Sequence, residues 1–337
     1  MLNKENRIKG LLNLKPTATK LDQEMVQFST VNTEGTIVHI CKPLLNNVSL
    51  SNWIKLNRQL VEDCLLKHGN ILFTGFPLNS VEDFRETIDS IGRNPMEYTQ
   101  RSSPRTEIAE NIYTSTDYPA DQYINMHNEL SYASAWPMKI IFFCKEPSMQ
   151  GGETPIADSR EVLRFLSHET REKFAKKGIM YIRTLVEGFG LSWKQVFQTD
   201  DKAKAEQACR EGGMEFEWKE NEKLVIKWTR PAIRKHPITG EEVWFNHGFF
   251  FNELALDPLI RSSLVVDDLP FNTFYGDGSV IEQSVIEEIR KAFESAVRTF
   301  TWQRGDFLLL DNMLCAHGRY PYKGDRKILV AMCHPNN

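Results

Sequence analysis

A chain of 337 residues, 41% hydrophobic and 26% charged, has an ordinary globular composition and is long enough for one large domain or two modest ones. Its net charge of −4 gives no basic footprint for nucleic acid and no polybasic patch for a membrane surface. The start at Met1 lacks a signal-peptide run, no apolar segment approaches a membrane span, and six scattered cysteines form no C-x-x-C. Those features predict a soluble cytoplasmic protein.

Residues 1 to about 30 are polar and predict a loosely packed lead-in. Thr36 to Cys41 reads as a strand. Trp53, Ile54, Leu60, Val61, Cys64 and Leu65 then fall at helical spacing, with Ser49 or Ser51 as cap and Gly69 as stop. A short strand, Ile71 to Thr74, leads to a second helix beginning at Ser80, with Asp83 three residues on. Residues 94–120 are irregular and polar, the kind of long loop that carries substrate contacts. Lys139 to Cys144 is nearly all apolar, as in a central strand. Gly151-Gly152 turns the chain, and Asp158 caps a helix carrying Val162, Leu163, Leu166 and Phe174. From 179 to 250 helical stretches around 192–212 alternate with strands at 223–228 and 242–246. A long helix over Ile281 to Val297 precedes three strand signals: Phe300 to Trp302, Asp306 to Leu310 and Lys327 to Met332. Nothing divides the chain, so residues 1–337 read as one domain. Strands gathered in two separated regions, with helical insertions, predict a mainly β fold with α: a double-stranded β-helix (jelly roll) core with flanking helices.

The chemistry centres on His127-Asn128-Glu129. A strand would put residues i and i+2 on one face, so His127 and Glu129 would point together. One distant histidine completes two imidazoles and a carboxylate, the facial ligand set of non-haem Fe(II) oxygenases. Of the eight histidines, His39, His68, His168, His236 and His334 have simple structural readings. His247 follows a strand and rivals His317; we favour His317, just past the apolar run Phe307 to Leu310, where a strand end meets a barrel mouth. Asp311 and Asn312 are suited to holding that loop through side-chain-to-backbone bonds. Arg326 starts the last strand. It either pairs with a surface acid such as Asp325 or faces an anion inside the barrel, where a dicarboxylate cosubstrate would meet it.

These residues, with His68-Gly-Asn-Ile-Leu-Phe-Thr-Gly-Phe76, Arg101-Ser-Ser-Pro-Arg105, Gly151-Gly-Glu-Thr-Pro-Ile-Ala-Asp158, Trp244-Phe-Asn-His247 and Gly305-Asp306, occur in the order of a known family. From about Gly69 to Arg326 the chain resembles the taurine dioxygenase (TauD/TfdA) family of Fe(II)/2-oxoglutarate oxygenases. It is most similar to the SyrP-like members found with peptide and amino-acid natural-product pathways. The resemblance implies that His127, Glu129 and His317 bind iron, and that Arg326, helped by Thr154, holds the distal carboxylate of 2-oxoglutarate. Glu129 departs from the commoner aspartate, but members like clavaminate synthase use glutamate. Val330 replaces the second arginine with which taurine dioxygenase grips its sulfonate, which argues against taurine.

The expectation is therefore a dioxygenase using Fe(II), 2-oxoglutarate and O2 to hydroxylate an amino-acid-type substrate, free or on a peptidyl carrier protein. Arg105 and Arg319 are candidates for the substrate's acid group, and Ser103 and Asn246, within the shared stretches, are candidate contacts. Arg105 reads equally well as a surface residue. Two rival readings use the same ligands: a non-catalytic metal-binding or sensor jelly roll, and a zinc hydrolase. Neither needs the second anion site at Arg326 and Thr154.

Overall fold

The computed structural model describes residues 25–32, 37–92, 96, 105–188, 190–256, 258–263 and 269–336. Most of the expected lead-in, the stretch 97–104 and Ser103 lie outside them.

The apolar residues of the central strands alternate, and the alternation sorts them onto two faces of one sheet. Among the described residues this sheet has eight strands. Their order is Val26–Asn32, Ile37–Pro43, Asn70–Phe73, Phe307–Asp311, Trp136–Glu146, Lys327–Asn336, Ile112–Thr114 and Glu107–Ala109. All neighbours are antiparallel except Ile37–Pro43 and Asn70–Phe73. Phe307, Leu309, Ile141, Phe143, Leu329 and Ala331 share one core with Trp53, Ile54, Val61, Leu65, Phe84 and Ile88 of the helices Leu50–Leu56, Arg58–His68 and Val81–Ile91. Leu308, Leu310, Ile140, Phe142, Ile328 and Val330 belong to a second core with Met126, Ile156 and Ala316. Each valine, leucine, isoleucine, phenylalanine or methionine among them contributes about 1.5–3 kcal/mol on burial. A one-residue register slip would exchange the two faces and forfeit both cores.

Met126, Ile156 and Ala316 come from a four-stranded sheet ordered Val297–Arg298, Ile156–Asp158, Cys315–Arg319 and Ile124–His127. The architecture is thus a helical layer, a large sheet and a small sheet. A third sheet is ordered Glu215–Trp218, Leu224–Arg230, Ile179–Leu185 and Phe271–Tyr275; the first three strands fall within 179–250, and Phe271–Tyr275 is a strand the sequence did not predict.

Four expectations change. The end of the lead-in is a strand, Val26–Asn32, paired with Ile37–Pro43. The first helix is two, because Asn57 leaves helical geometry (φ −120°, ψ 29°) and its side-chain amide donates to the Trp53 carbonyl at 2.9 Å. The helix after Asp158 also breaks: Leu166 is extended, and Ser167 caps a new helix, His168–Lys177, by accepting from Thr170 N. Phe300 to Trp302 is not a strand; Val297–Arg298, just before it, pairs with Ile156–Asp158. The capping box at Ser80 and Asp83 forms as the sequence predicts. No helix among the described residues is long and apolar enough to cross a membrane.

Candidate metal and cosubstrate site

His127 ends the strand Ile124–His127, and His317 lies in mid-strand in Cys315–Arg319; the two are direct register partners. Cross-strand partners in a sheet stand about 4.5–5.5 Å apart, so pairing alone brings the imidazoles together, with ring centroids 4.5 Å apart. Backbone approach at this point requires glycine at 318, since a Cβ there would sit 2.7 Å from the Ile124 carbonyl oxygen. His317 is therefore not at the end of the run Phe307 to Leu310, as the sequence suggested. The chain turns through Asp311 to Leu314 and enters the other sheet first.

Glu129 also departs from expectation. It lies beyond the strand, in a turn, so period-two alternation does not aim it. Asn312 does. Its Oδ1 accepts from Glu129 N at 2.8 Å, and its Nδ2 donates to the carbonyls of Glu129 (2.9 Å) and Pro137 (2.8 Å). Asn128 returns the link by donating to the Asn312 carbonyl at 2.7 Å and to Ser159 Oγ at 3.0 Å. The turn then passes through Leu130 at φ 54°, a left-handed conformation costing a leucine roughly 1–2 kcal/mol. The Asn312 bonds and the burial of Leu130 hold it there. Asp311 anchors the other side: Oδ1 accepts from Met313 N and Leu314 N, and Oδ2 meets His236 Nε2 at 3.0 Å. His236 Nδ1 lies within hydrogen-bonding reach of two backbone N–H groups, so its proton is on Nε2 and is donated to Asp311.

One ligand atom from each of His127, Glu129 and His317 lies within 4.8 Å of the others. His127 Nδ1 donates to the Asn125 carbonyl at 2.8 Å, leaving the Nε2 lone pair for a metal. Burial, the largest cause, holds the His127 imidazole below its ordinary range, opposed by Glu129. The imidazole of His317 is held well below, by burial first and by His127 and Arg105 next. Both are the neutral rings that metal binding needs. His317 Nδ1 is buried without a hydrogen-bond partner. Two neutral nitrogens and one carboxylate suit a divalent iron, so the residues fit the group.

His247 is close but is not in this cluster. Its ring centroid is 5.5 Å from that of His127, its Nδ1 meets Ser131 Oγ at 2.7 Å, and Phe250, Phe251 and Tyr132 surround it. Phe142 packs against His317 and Phe250 against His127, forming apolar walls.

Thr154 lies two residues before Ile156, the register partner of His317, and the backbone of 318–320 bonds to that of 153–155. Arg326 reaches it from just before the strand Lys327–Asn336: Nε donates to the Gly152 carbonyl at 3.0 Å and Nη2 to Thr154 Oγ1 at 3.4 Å, with Ser115 Oγ 3.5 Å from Nη1. Gly152 admits the guanidinium stem, because a Cβ there would fall 3.1 Å from Arg326 Cδ and 2.6 Å from Ser148 Oγ. Burial, followed by Arg319, pushes the Arg326 pKa down to about 10, so it remains a cation at neutral pH. Among the described residues no carboxylate forms an ion pair with it, Asp325 included. A buried cation of this kind favours an anionic ligand.

The other candidates fall in different places. Arg105 Nη2 donates to Glu129 Oε2 at 2.5 Å, with both side chains almost fully buried, so it lies at the metal cluster and not on the surface. Arg319 is engaged elsewhere: its guanidinium donates to the carbonyls of Tyr118 (2.9 Å), Gln122 (2.8 Å) and Pro119, holding that loop. Asn246 donates to the Ala232 carbonyl and accepts from Gly248 N, both at 2.8 Å, which shapes its own turn. Trp302 escaped the sequence reading because it looked like one more strand residue. Its indole donates to Thr154 Oγ1 at 3.0 Å.

A family model described as "Taurine catabolism dioxygenase TauD, TfdA family" matches residues 38–333. The chain is similar to the dapdiamide synthesis protein DdaC of Enterobacter agglomerans, 36% identical over 279 residues, covering 82% of this chain and 85% of that protein. It is 29% identical over 305 residues to a clavaminate synthase-like protein of Arabidopsis thaliana, covering 86% and 89%. Among solved structures, PvcB from Pseudomonas aeruginosa superposes with a TM-score of 0.57 over 95% of both chains at 15% identity. A taurine dioxygenase from Burkholderia xenovorans gives a TM-score of 0.55 at 14% identity, over 92% of this chain and 89% of that one. At those identities the likeness is one of fold.

Proposed function

The chain belongs to the TauD/TfdA family, and from that premise we propose that it hydroxylates an unactivated carbon of an amino acid or amino-acid-derived substrate in secondary metabolism. It is a 2-oxoglutarate-dependent non-haem iron dioxygenase, and its cofactors are Fe(II), 2-oxoglutarate and O2. The observation that carries the site reading is a two-histidine, one-carboxylate cluster, its histidines on the small sheet, set beside a buried arginine, just before the large sheet's last-in-sequence strand, that has no acid partner among the described residues. We read the large and small sheets as the two halves of a jelly roll, and residues 1–337 as one cytoplasmic oxygenase domain.

In this reading His127, Glu129 and His317 hold the iron on one side. The bound iron, with 2-oxoglutarate and oxygen, supplies an oxidant strong enough for an unactivated C–H bond. Arg326 and Thr154 bind the far carboxylate of 2-oxoglutarate. Among the described residues Thr154 Oγ1 has only donors as hydrogen-bonding neighbours, so its own hydrogen is directed at the anion. Phe142 and Phe250 keep water from the ligand rings. Arg105, whose charge lies beside Glu129, is the candidate for the substrate's acid group, and Val330 offers none. Arg319 and Asn246 act by shaping the walls. Glu129 fills the place that a halogenase leaves open for chloride, so the product is hydroxylated or otherwise oxidised and not chlorinated.

DdaC, by its name, serves dapdiamide synthesis, which supports a place in secondary metabolism; the amino-acid-type substrate, free or thioester-bound to a peptidyl carrier protein, rests on the sequence resemblance. Family membership removes the support for a sensor or a zinc hydrolase. The test is oxygen-dependent conversion of 2-oxoglutarate to succinate, coupled to gain of one oxygen atom by a member of an amino-acid panel, free and carrier-bound. Succinate with no product from any amino-acid form would overturn the substrate assignment. Chlorinated product in saline buffer would overturn the reaction type.

A further inference from the structure

We propose that Trp302 is a positioning residue for the cosubstrate, orienting the Thr154 hydroxyl so that its single hydrogen is donated to the far carboxylate of 2-oxoglutarate. The inference rests on the reading of Arg326 and Thr154 as the carboxylate subsite.

A threonine hydroxyl has one hydrogen to give and two lone pairs with which to accept. Left alone, it rotates and can turn either toward an incoming anion. At Thr154 both hydrogen-bonding neighbours among the described residues are donors: the indole Nε1–H of Trp302 at 3.0 Å and the Nη2–H of Arg326 at 3.4 Å. The oxygen must accept from both, so its lone pairs are taken and its hydrogen points away from them. The carboxylate of 2-oxoglutarate is an acceptor only, and it meets a hydroxyl already oriented to donate. The shorter of the two bonds is the one from Trp302. Thr154 is 3% exposed and Trp302 5%, so water does not compete for this arrangement.

The indole is itself fixed. Phe300 packs edge-on against it, with ring centroids 4.8 Å apart at 71°. The turn just after it is closed by Gln303 N donating to Asp306 Oδ2 at 2.8 Å and by Gly305 N donating to the Cys144 carbonyl at 2.9 Å. Asp306 thereby ties the Trp302 segment to the central strand Trp136–Glu146. This gives the Gly305-Asp306 turn a part in cosubstrate binding through Trp302.

The experiment measures affinity for 2-oxoglutarate by calorimetry on the full chain loaded with Mn(II) without oxygen, so that no turnover is needed. Trp302→Phe keeps the ring and removes the N–H; Thr154→Val keeps the shape and removes the hydroxyl. One neutral hydrogen bond sets the scale, so Trp302→Phe should weaken 2-oxoglutarate about fivefold. In the Thr154→Val background the same change should add less than about twofold, because the two act as one unit. Affinity for 2-oxobutyrate, which has the same chelating end and no far carboxylate, should be unaltered by Trp302→Phe. Full affinity in the Trp302→Phe enzyme, where Thr154→Val and Arg326→Leu both weaken binding, overturns the role of Trp302 alone. Equal weakening of both 2-oxo acids overturns it too, since that is a packing effect. If Thr154→Val and Arg326→Leu leave 2-oxoglutarate affinity intact, the subsite reading fails and the inference falls with it.

Discussion

The two ends of the site are built on opposite plans. At the ligand end the backbone is over-determined: Asn312 and Asn128 bond the turn carrying Glu129, Asp311 holds the next turn, and sheet register sets the two histidines. At the Arg326 end few bonds are made, and among the described residues a buried guanidinium bonds one backbone carbonyl and makes two long hydroxyl contacts. A metal needs three atoms placed to within a fraction of an ångström, which takes a rigid frame. An anion needs charge and free N–H groups, which takes a cation without an acid partner. The lesson is that dense bonding marks where geometry is set, and sparse bonding around a buried charge marks where a ligand is awaited.

The comparison breaks hardest at the ligands. His127→Ala or His317→Ala should abolish turnover and Fe(II) binding, whereas His247→Ala should retain the metal, measured by metal content after desalting. Metal loss in His247→Ala with retention in His317→Ala would transfer the distal ligand to His247. Next is the anion end. Arg326→Leu should weaken 2-oxoglutarate by about 2–5 kcal/mol while leaving Fe(II) affinity unchanged in an oxygen-free titration. Asn312→Ala touches only the frame. It strands three buried backbone groups and should weaken metal binding by about 10- to 100-fold, with a drop in Tm that accompanies lost stability. A variant with native metal affinity would show that the turn holds itself. The smallest and most selective effect is expected of Arg105→Ala, which should raise KM for a free amino acid severalfold more than for the carrier-bound form. Equal KM changes would remove Arg105 from acid recognition.

Much of this was legible in the sequence, for reasons that differ by region. Phe307 to Leu310 and Lys139 to Cys144 are recognisable because both sheet faces are apolar, and the Ser80–Asp83 capping box is a purely local signal. The ligand trio is legible as residue types but not as geometry. Glu129 is aimed by Asn312, 183 positions away, and no local pattern announces that pairing. Cys315–Arg319 holds only one large apolar-free centre, Ala-His-Gly, so it gives no strand alternation even though it is a fully buried strand. Of the third sheet only the strand at 223–228 was expected, found as Leu224–Arg230; Ile179–Leu185 and Phe271–Tyr275 were missed because helices divide them and they pair across a long separation. Asn57 and Ser167 break helices through their own side chains, a choice that apolar spacing does not record.

The most direct test of the central claim follows 2-oxoglutarate and an amino-acid panel together in aerobic buffer with Fe(II), the panel presented free and on a carrier protein. The account predicts succinate formed one-for-one with a product heavier by a single oxygen atom, absent without oxygen and absent in His317→Ala. Succinate formation that persists in His317→Ala, or a product formed without consumption of 2-oxoglutarate, would contradict it.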